Sequence, residues 1–205
     1  MDLRTLVQPG NTIVLTQECQ RGIIGDLAQG VLPGASEEVG LVEKVGRLVK
    51  AGRDAGCRVL HCVAELRPDH PAAADNAPIM RAGKRGASSA AWDPKVMEIV
   101  DGIEVAESDF TSVRGVNVSP VIGTEVPTLL RNLGVTTVVA VGVSANLGIP
   151  HLALDCVNLG FNVVVPRDAI VGFPVDYVDV VVKNTLALVA KICTTEELVD
   201  AWSSS

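Results

Sequence analysis

Aromatic residues are scarce in this chain. Only six of its 205 residues are aromatic: Trp92, Trp202, Tyr177, Phe110, Phe161 and Phe173. Apolar residues nevertheless make up 48% of it, so the core has to be built from Val, Leu, Ile and Ala. Basic runs are missing too. The formal charge is −7, and no Lys/Arg cluster offers a footprint for nucleic acid or an anionic membrane. No apolar stretch reaches the roughly 18 residues of a membrane span. No leader pattern is visible, so the chain is expected to be soluble and cytoplasmic. Cysteines number five, an odd count, scattered at Cys19, Cys57, Cys62, Cys156 and Cys193. Cys57 and Cys62 have no matching second pair, which speaks against a zinc site. Small buried hydrophobes are the simplest reading of such thiols. His61, His70 and His151 form no helical metal-binding pair. No G-x-G-x-x-G follows a strand, so a dinucleotide site has little support. Neither metal nor cofactor is expected.

What is present alternates. The length suits one domain with a real core, read as 1–205. Apolar strand-like runs fall at Thr12–Thr16, Arg58–Val63, Phe110–Val116, Thr136–Val141 and Asn162–Val165. Helical patterns lie between them. One starts from Ser36 as an N-cap, carries Val39, Leu41, Val42, Val45, Leu48 and Val49, and stops at Gly56. Others follow Pro94, run from Thr124 to Gly134, end near Leu159, and span Asp176–Ala190. Thr194-Thr195-Glu196-Glu197 suits one more helix start. This order predicts an α/β fold: a Rossmann-like, doubly wound parallel sheet of about six strands with helices on both faces. Glu65–Ser89 holds Pro68, Pro71, Pro78, Gly83 and Gly86 and reads as a long loop over the strand ends. Asn76 or Arg81 would line a site beneath it.

Two strand ends stand out. Glu18-Cys19-Gln20 follows the first strand, and a carboxylate there is a site candidate. The stretch Val138–His151 runs from a strand buried on both faces, through Gly142-Val143-Ser144-Ala145-Asn146-Leu147-Gly148, into a helix. Open α/β sheets place ligands at such carboxyl ends. First-turn N–H groups are free to face a nucleophile or an anion.

These pieces together resemble the isochorismatase-like hydrolases, which include nicotinamidases and other amide hydrolases. The likeness covers most of the chain. It rests on Glu18-Cys19-Gln20 where the family has Asp-x-Gln, and on Gly123-Thr124 with Leu129–Val135. The Gly142–Gly148 turn and Asp168-Ala169 complete it. The resemblance implies a triad of Asp, Lys and Cys, the Cys attacking an amide carbonyl. This chain departs at all three positions. Glu18 replaces the Asp. Arg114, or Gly115 if the register moves by one, falls at the Lys. Gly148 falls at the Cys, and a glycine cannot form a thioester.

Family members acting on isochorismate are similar here, with Ala-x-x-Gly matching Ala145-Asn146-Leu147-Gly148. They cleave a vinyl ether through a carboxylic acid whose pKa must be raised, as burial at a strand end would do. The resemblance therefore implies a hydrolase that works without a covalent cysteine intermediate on a small-molecule substrate, a vinyl ether or a small amide. Glu18 would be its acid or base and Arg114 an anion clamp. Gln20, Asn76, Ser144, Ala145, Asn146 and Gly148 would contact substrate. A non-catalytic member on the same scaffold is the alternative. The family is commonly homo-oligomeric, so a dimer or larger is expected. The apolar 171–190 stretch is rich enough to serve both core and interface.

Overall fold

The computed structural model describes residues 2–65, 67, 74–87 and 92–203, with the backbone alone over 83–87. Among these residues, seven strands form one sheet in which every pair is parallel. They are β1 (Thr12–Gln17), β2 (Arg58–Ala64), β3 (Phe110–Arg114), β4 (Thr137–Val143), β5 (Asn162–Pro166), β6 (Ile170–Val171) and β7 (Lys191–Cys193). The order is β3-β2-β1-β4-β5-β7. β6 lies beside the carboxyl end of β4, where the pairing with β5 has stopped. The two short strands, β6 and β7, go beyond those legible in the sequence.

The helices are α1 (Leu3–Leu6), α2 (Leu32–Glu38), α3 (Leu41–Ala55), α4 (Pro78–Ala87), α5 (Val126–Asn132), α6 (Gly148–Asn158), α7 (Tyr177–Val181), α8 (Ala187–Val189) and α9 (Thr195–Ser203). They cover both faces of the sheet. Val14, Val59, Val139 and Val141 pack against Leu41, Val45, Leu48 and Val49 of α3 and Leu198 and Trp202 of α9. On the other face Ile13, Leu15, Leu60, Val138 and Ala140 meet Leu130 of α5 and Ile149, Leu152 and Cys156 of α6. The central strands are apolar end to end because both faces are covered. Phe161 and Trp202 are the only buried aromatics among the described residues, so aliphatic side chains do supply the core. Each large one fully buried contributes about 1.5–3 kcal/mol.

Some helices depart from expectation. Ser36 is not an N-cap; it lies buried within α2. The single helix expected there is two, because Gly40 takes φ of 62° between them, a turn that suits a residue without Cβ. The Asp176–Ala190 helix is interrupted by a wide π-turn at Val182–Leu186, where Asn184 Nδ2 donates to the Val180 carbonyl at 2.9 Å. The 65–89 stretch is not all loop, since α4 lies within it; 66, 68–73, 88 and 89 fall outside the described residues. After Pro94 the chain makes only a 3₁₀ turn, Pro94–Met97. The start of α9 follows the expected pattern: Glu197 N–H donates to Thr194 Oγ1 at 3.2 Å, and Thr194 N–H donates to Glu197 Oε2 at 2.8 Å. No helix among the described residues is long and apolar enough to cross a membrane.

The strand order reverses between β1 and β4. From β1 the chain winds outward through β2 and β3, and from β4 the other way through β5 and β7. The crevice at the carboxyl ends of β1 and β4 is therefore the switch point, where open α/β sheets bind ligands.

Candidate functional site at the switch point

β1 delivers two polar residues to this crevice. Side chains alternate along a strand, so Gln17 shares the face of Ile13 and Leu15, under α6. It is fully buried. Glu18 then leaves the strand with φ of 52°, a conformation uncommon for a residue with Cβ and characteristic of functional turns. Its N–H donates to the Cys62 carbonyl at 2.8 Å. Its carboxylate accepts a hydrogen bond from Arg114 Nη2.

Arg114 closes β3 and reaches across the end of β2 to make that pair; Gly115 is not involved. Its Nε donates to the Asn117 carbonyl at 3.1 Å. Asn117 is fixed in turn by its own Nδ2, which donates to the Ser119 and Ile122 carbonyls. The Arg114 side chain is 8% exposed and that of Glu18 17%. Burial pushes the guanidinium down to about 10, while the adjacent carboxylate favours its charged form; it stays a cation at neutral pH. Arg114 Nη1 is buried without a partner.

β4 brings the opposite wall. Gly142 has φ of 107°, and a Cβ there would stand 2.3 Å from the Gln17 carbonyl oxygen and 2.8 Å from Cys19 Sγ. Only glycine lets the two strand ends approach this closely. The Val143–Ser144 peptide is cis. The half-buried Ser144 accepts from Leu147 and Ile149 N–H groups through its carbonyl. Ala145 is buried and its N–H donates to Val171 at 2.9 Å. Gly148 opens α6, and its N–H has no backbone acceptor among the described residues.

The remaining expected contacts lie elsewhere or are engaged. Gln20 is buried; its Nε2 donates to the Ala64 and Val96 carbonyls, and its Oε1 accepts from Ala64 N–H. It joins β1 to β2 and to the 96–99 segment. The exposed Asn146 clamps Phe173, donating to its carbonyl at 2.8 Å and accepting from its N–H at 2.9 Å. Asn76 is exposed in the bend before α4. Arg81 is exposed too and donates to the Asp75 carbonyl. Sequence reasoning passed over Gln17, although one polar residue closing the apolar series Ile13, Leu15, Gln17 was a signal.

All five cysteines are buried. Burial pushes the thiols of Cys19, Cys57, Cys156 and Cys193 up to about 12, and that of Cys62 higher still. Cys19, next to Glu18, packs into the α3 side of the sheet. No group of three or more His, Cys, Asp or Glu among the described residues is arranged to hold a metal. An open groove of about 470 Å³ lies away from the crevice, between residues 24–26 and the α2–α3 corner. None of the residues just described lines it.

The class of protein is set by the fold, an open parallel α/β sheet, whose switch point carries the half-buried Glu18 carboxylate paired with the Arg114 guanidinium. A family model for the isochorismatase domain matches residues 12–197, and the chain belongs to the isochorismatase family. It is 29% identical over 79 residues to the Uncharacterized isochorismatase family protein YecD of Escherichia coli O157:H7, a match covering 38% of this chain and 42% of that protein. The chain thus spans less than half the length of that curated relative. Among solved structures, a cysteine hydrolase from Pseudomonas syringae pv. phaseolicola superimposes with a TM-score of 0.81 at 18% identity, over 97% of this chain and 95% of that one. N-carbamoylsarcosine amidase from Thermoplasma acidophilum gives 0.67 at 21% identity, over 90% and 96%. At such identities the likeness is one of fold.

Proposed function

We propose that this chain is a hydrolase of the family that works without a covalent thioester, with Glu18 as its acid–base group and Arg114 as the cation that holds it. The carrying observation is the Glu18–Arg114 pair at the switch point, in a crevice whose α6 begins with a glycine. In this reading Gly148 stands where a cysteine-dependent member of the family would carry its attacking thiol. Nothing at that position can attack, and the thiols elsewhere are buried and strongly protonated. Water is then the nucleophile.

The ion pair also bears on the substrate. A carboxylate beside a guanidinium favours its charged, proton-accepting form. That opposes the proton-donating role a vinyl ether needs and suits a small amide. Glu18 takes a proton from water as the water oxygen bonds to the carbonyl carbon. The same proton passes to the leaving nitrogen as the C–N bond breaks, giving a carboxylic acid and an amine. Gln20 and Asn146 shape the site from behind, and Ser144, Ala145 and Gly148 form its floor. The test is release of ammonia from nicotinamide and N-carbamoylsarcosine, and of pyruvate from isochorismate, each with Glu18→Gln alongside. Ammonia release lost in the variant supports the reading. Pyruvate release lost in the variant makes Glu18 an acid instead.

A non-catalytic member is the second reading, favoured by one observation: the Glu18 carboxylate is already paired with Arg114 Nη2. Turnover abolished by Glu18→Gln removes it. We also take the protein to be cytoplasmic and to act on a small molecule as a homo-oligomer. The 171–190 stretch splits as a dual-use segment would. Val171 and Val181 are buried, whereas Phe173, Tyr177, Val180 and Leu188 are exposed. A monomer by light scattering would remove the oligomer.

A further inference from the structure

β1 and β4 separate at the switch point, and each leaves its outer neighbour without a backbone partner. On the β1 side the ladder ends where Glu18 N–H donates to the Cys62 carbonyl. A parallel ladder carried one step further would have Ala64 N–H donate to the Glu18 carbonyl and Gln20 N–H donate to the Ala64 carbonyl. β1 has turned away by then, through the φ of 52° at Glu18. The Gln20 side chain takes both positions instead. Its Oε1 accepts from Ala64 N–H at 2.7 Å, and its Nε2 donates to the Ala64 carbonyl at 2.9 Å. A primary carboxamide carries the donor and acceptor of a peptide group, so it substitutes for one. The second Nε2 hydrogen goes to the Val96 carbonyl, also at 2.9 Å. The β4 side repeats the device. Just past the end of β6, Asn146 accepts from Phe173 N–H and donates to the Phe173 carbonyl, and a Cβ on Gly172 would collide with its Oδ1.

The two clips differ in what hangs from them. Asn146 is exposed, whereas Gln20 is 1% exposed and lies two residues from Glu18. Ala64, which Gln20 grips, stands in register with Arg114 on β3, and Glu65 N–H donates to the Arg114 carbonyl at 2.8 Å. Carboxylate and guanidinium are thus both placed from one point of the sheet. A left-handed glutamate persists only where its surroundings hold it. The Cys62 carbonyl holds Glu18 before the turn and the Gln20 clip holds it after. We propose that Gln20 is the positioning residue of the site: its carboxamide replaces the peptide that β1 withdraws and so fixes the Glu18 carboxylate against Arg114. With both Nε2 hydrogens used and its side chain closed to solvent, Gln20 acts through Glu18 and does not meet the substrate. This rests on the hydrolase reading above for the chemistry that Glu18 performs.

The test uses the full chain and reads geometry as well as rate. Gln20→Met keeps the length and removes every polar atom of the clip. In its crystal structure Glu18 should no longer meet Arg114, its φ having returned to the negative region. An intact pair in the variant overturns the inference whatever the activity. On whichever of nicotinamide, N-carbamoylsarcosine and isochorismate is hydrolysed, kcat per folded molecule should fall roughly tenfold to a hundredfold with KM within twofold of wild type, as a small misplacement of a reacting group does. A residue that only supports the fold would lower Tm and leave that kcat alone, which also overturns the inference. Because Gln20 acts through Glu18, adding Gln20→Met to Glu18→Gln should remove no more than about half of the activity that remains; two losses that multiply overturn it. Gln20→Glu supplies the same readouts where Gln20→Met does not fold. It keeps the acceptor for Ala64 N–H, loses both donors as a carboxylate and regains one on protonation. Its kcat relative to wild type should therefore rise as pH falls from 8 to 5, and a ratio independent of pH overturns the inference. If wild type and Glu18→Gln are equally inert on all three probes, the hydrolase reading fails, and the variant crystal structures still decide whether Gln20 sets the Glu18–Arg114 pair.

Discussion

Thr16 and Gln17 are adjacent on β1, both fully buried, and they face opposite sides of the sheet. On the α3 side Thr16 belongs to a complete polar chain. Its hydroxyl is 2.8 Å from His61 Nδ1, and His61 Nε2 is 3.4 Å from Asp109 Oδ2. Asp109 also accepts from Arg53 Nη2 at 2.7 Å and from Ala106 N–H at 2.9 Å. A carboxylate can only accept, so Nε2 carries the ring proton, Nδ1 accepts, and Thr16 donates. The line-up of hydroxyl, imidazole and carboxylate resembles a nucleophilic triad, but it is sealed inside the protein and its bonds are made. On the α6 side Gln17 and Arg114 Nη1 remain unpaired beside Glu18. A satisfied buried network holds a fold together, whereas an unsatisfied one at a switch point is where a ligand group is expected.

The sharpest way to break this comparison is to exchange the effects of the two sides. Glu18→Gln should lower kcat by about 10²–10⁴-fold, the range for removing a positioned acid or base. The variant keeps a carbonyl acceptor toward Arg114, so it should still fold, and steady-state kinetics on the hydrolysed probe reads the result directly. Next in size, Asp109→Ala should cost about 3 kcal/mol of stability, since Arg53 and His61 lose their common acceptor in a buried site. Urea unfolding reads that loss, while kcat per folded molecule should stay at the wild-type value. If Asp109→Ala abolished turnover without destabilising, the functional site would lie on the α3 face after all.

This division was only partly legible in the sequence. The alternation of apolar strands and helices carried the parallel sheet, and the carboxyl ends of β1 and β4 were legible because a carboxylate and a glycine-bounded turn follow apolar runs. The backbone partners of Gln20 and Asn146 were not legible, because a polar residue near a strand end reads the same whether it meets a ligand or a neighbouring backbone. Only the fold shows that Ala64 and Phe173 come within reach of them. His61 and Asp109 are 48 residues apart, and such non-local partners leave no local pattern. β6 and β7, of two and three residues, are too short for any periodicity.

A smaller effect separates the two networks by pH. Burial pushes the His61 imidazole below its ordinary value of 6.5, outweighing the upward pull of Asp109. The unfolded chain therefore takes up a proton near 6.5 that the native state refuses, so this share of stability is complete above that pH and declines as pH falls toward the native value. Burial raises the Asp109 carboxyl, but Arg53 and the Ala106 N–H more than offset it, leaving it below 3.8. Its share is complete above 3.8 and is lost as pH falls through the depressed value. Both signs agree, so the urea midpoint should drop between pH 7 and 5 and drop further in stronger acid. His61→Asn should flatten the first interval and leave the second.

The least effect is expected from the thiols, and a null result there is informative. The five cysteines lie on both sides of the sheet, with Cys19 on the α3 side and Cys62 and Cys156 on the α6 side. A thiol whose pKa is pushed up to about 12 is almost wholly protonated at pH 8, and burial also denies a reagent access. Iodoacetamide at pH 8 should leave turnover unchanged, and a chromogenic disulfide should titrate all five thiols only after unfolding in denaturant. Rapid inactivation that substrate prevents would mean that one thiol reaches the crevice. Cys19 is the first to examine, since it follows Glu18 directly and its sulfur lies 3.7 Å from the Gln17 carbonyl. Such a result would return the chemistry to a sulfur nucleophile. Unhindered turnover after full exposure to the reagent keeps the attacking group as water, and keeps the two faces of β1 distinct in what they do.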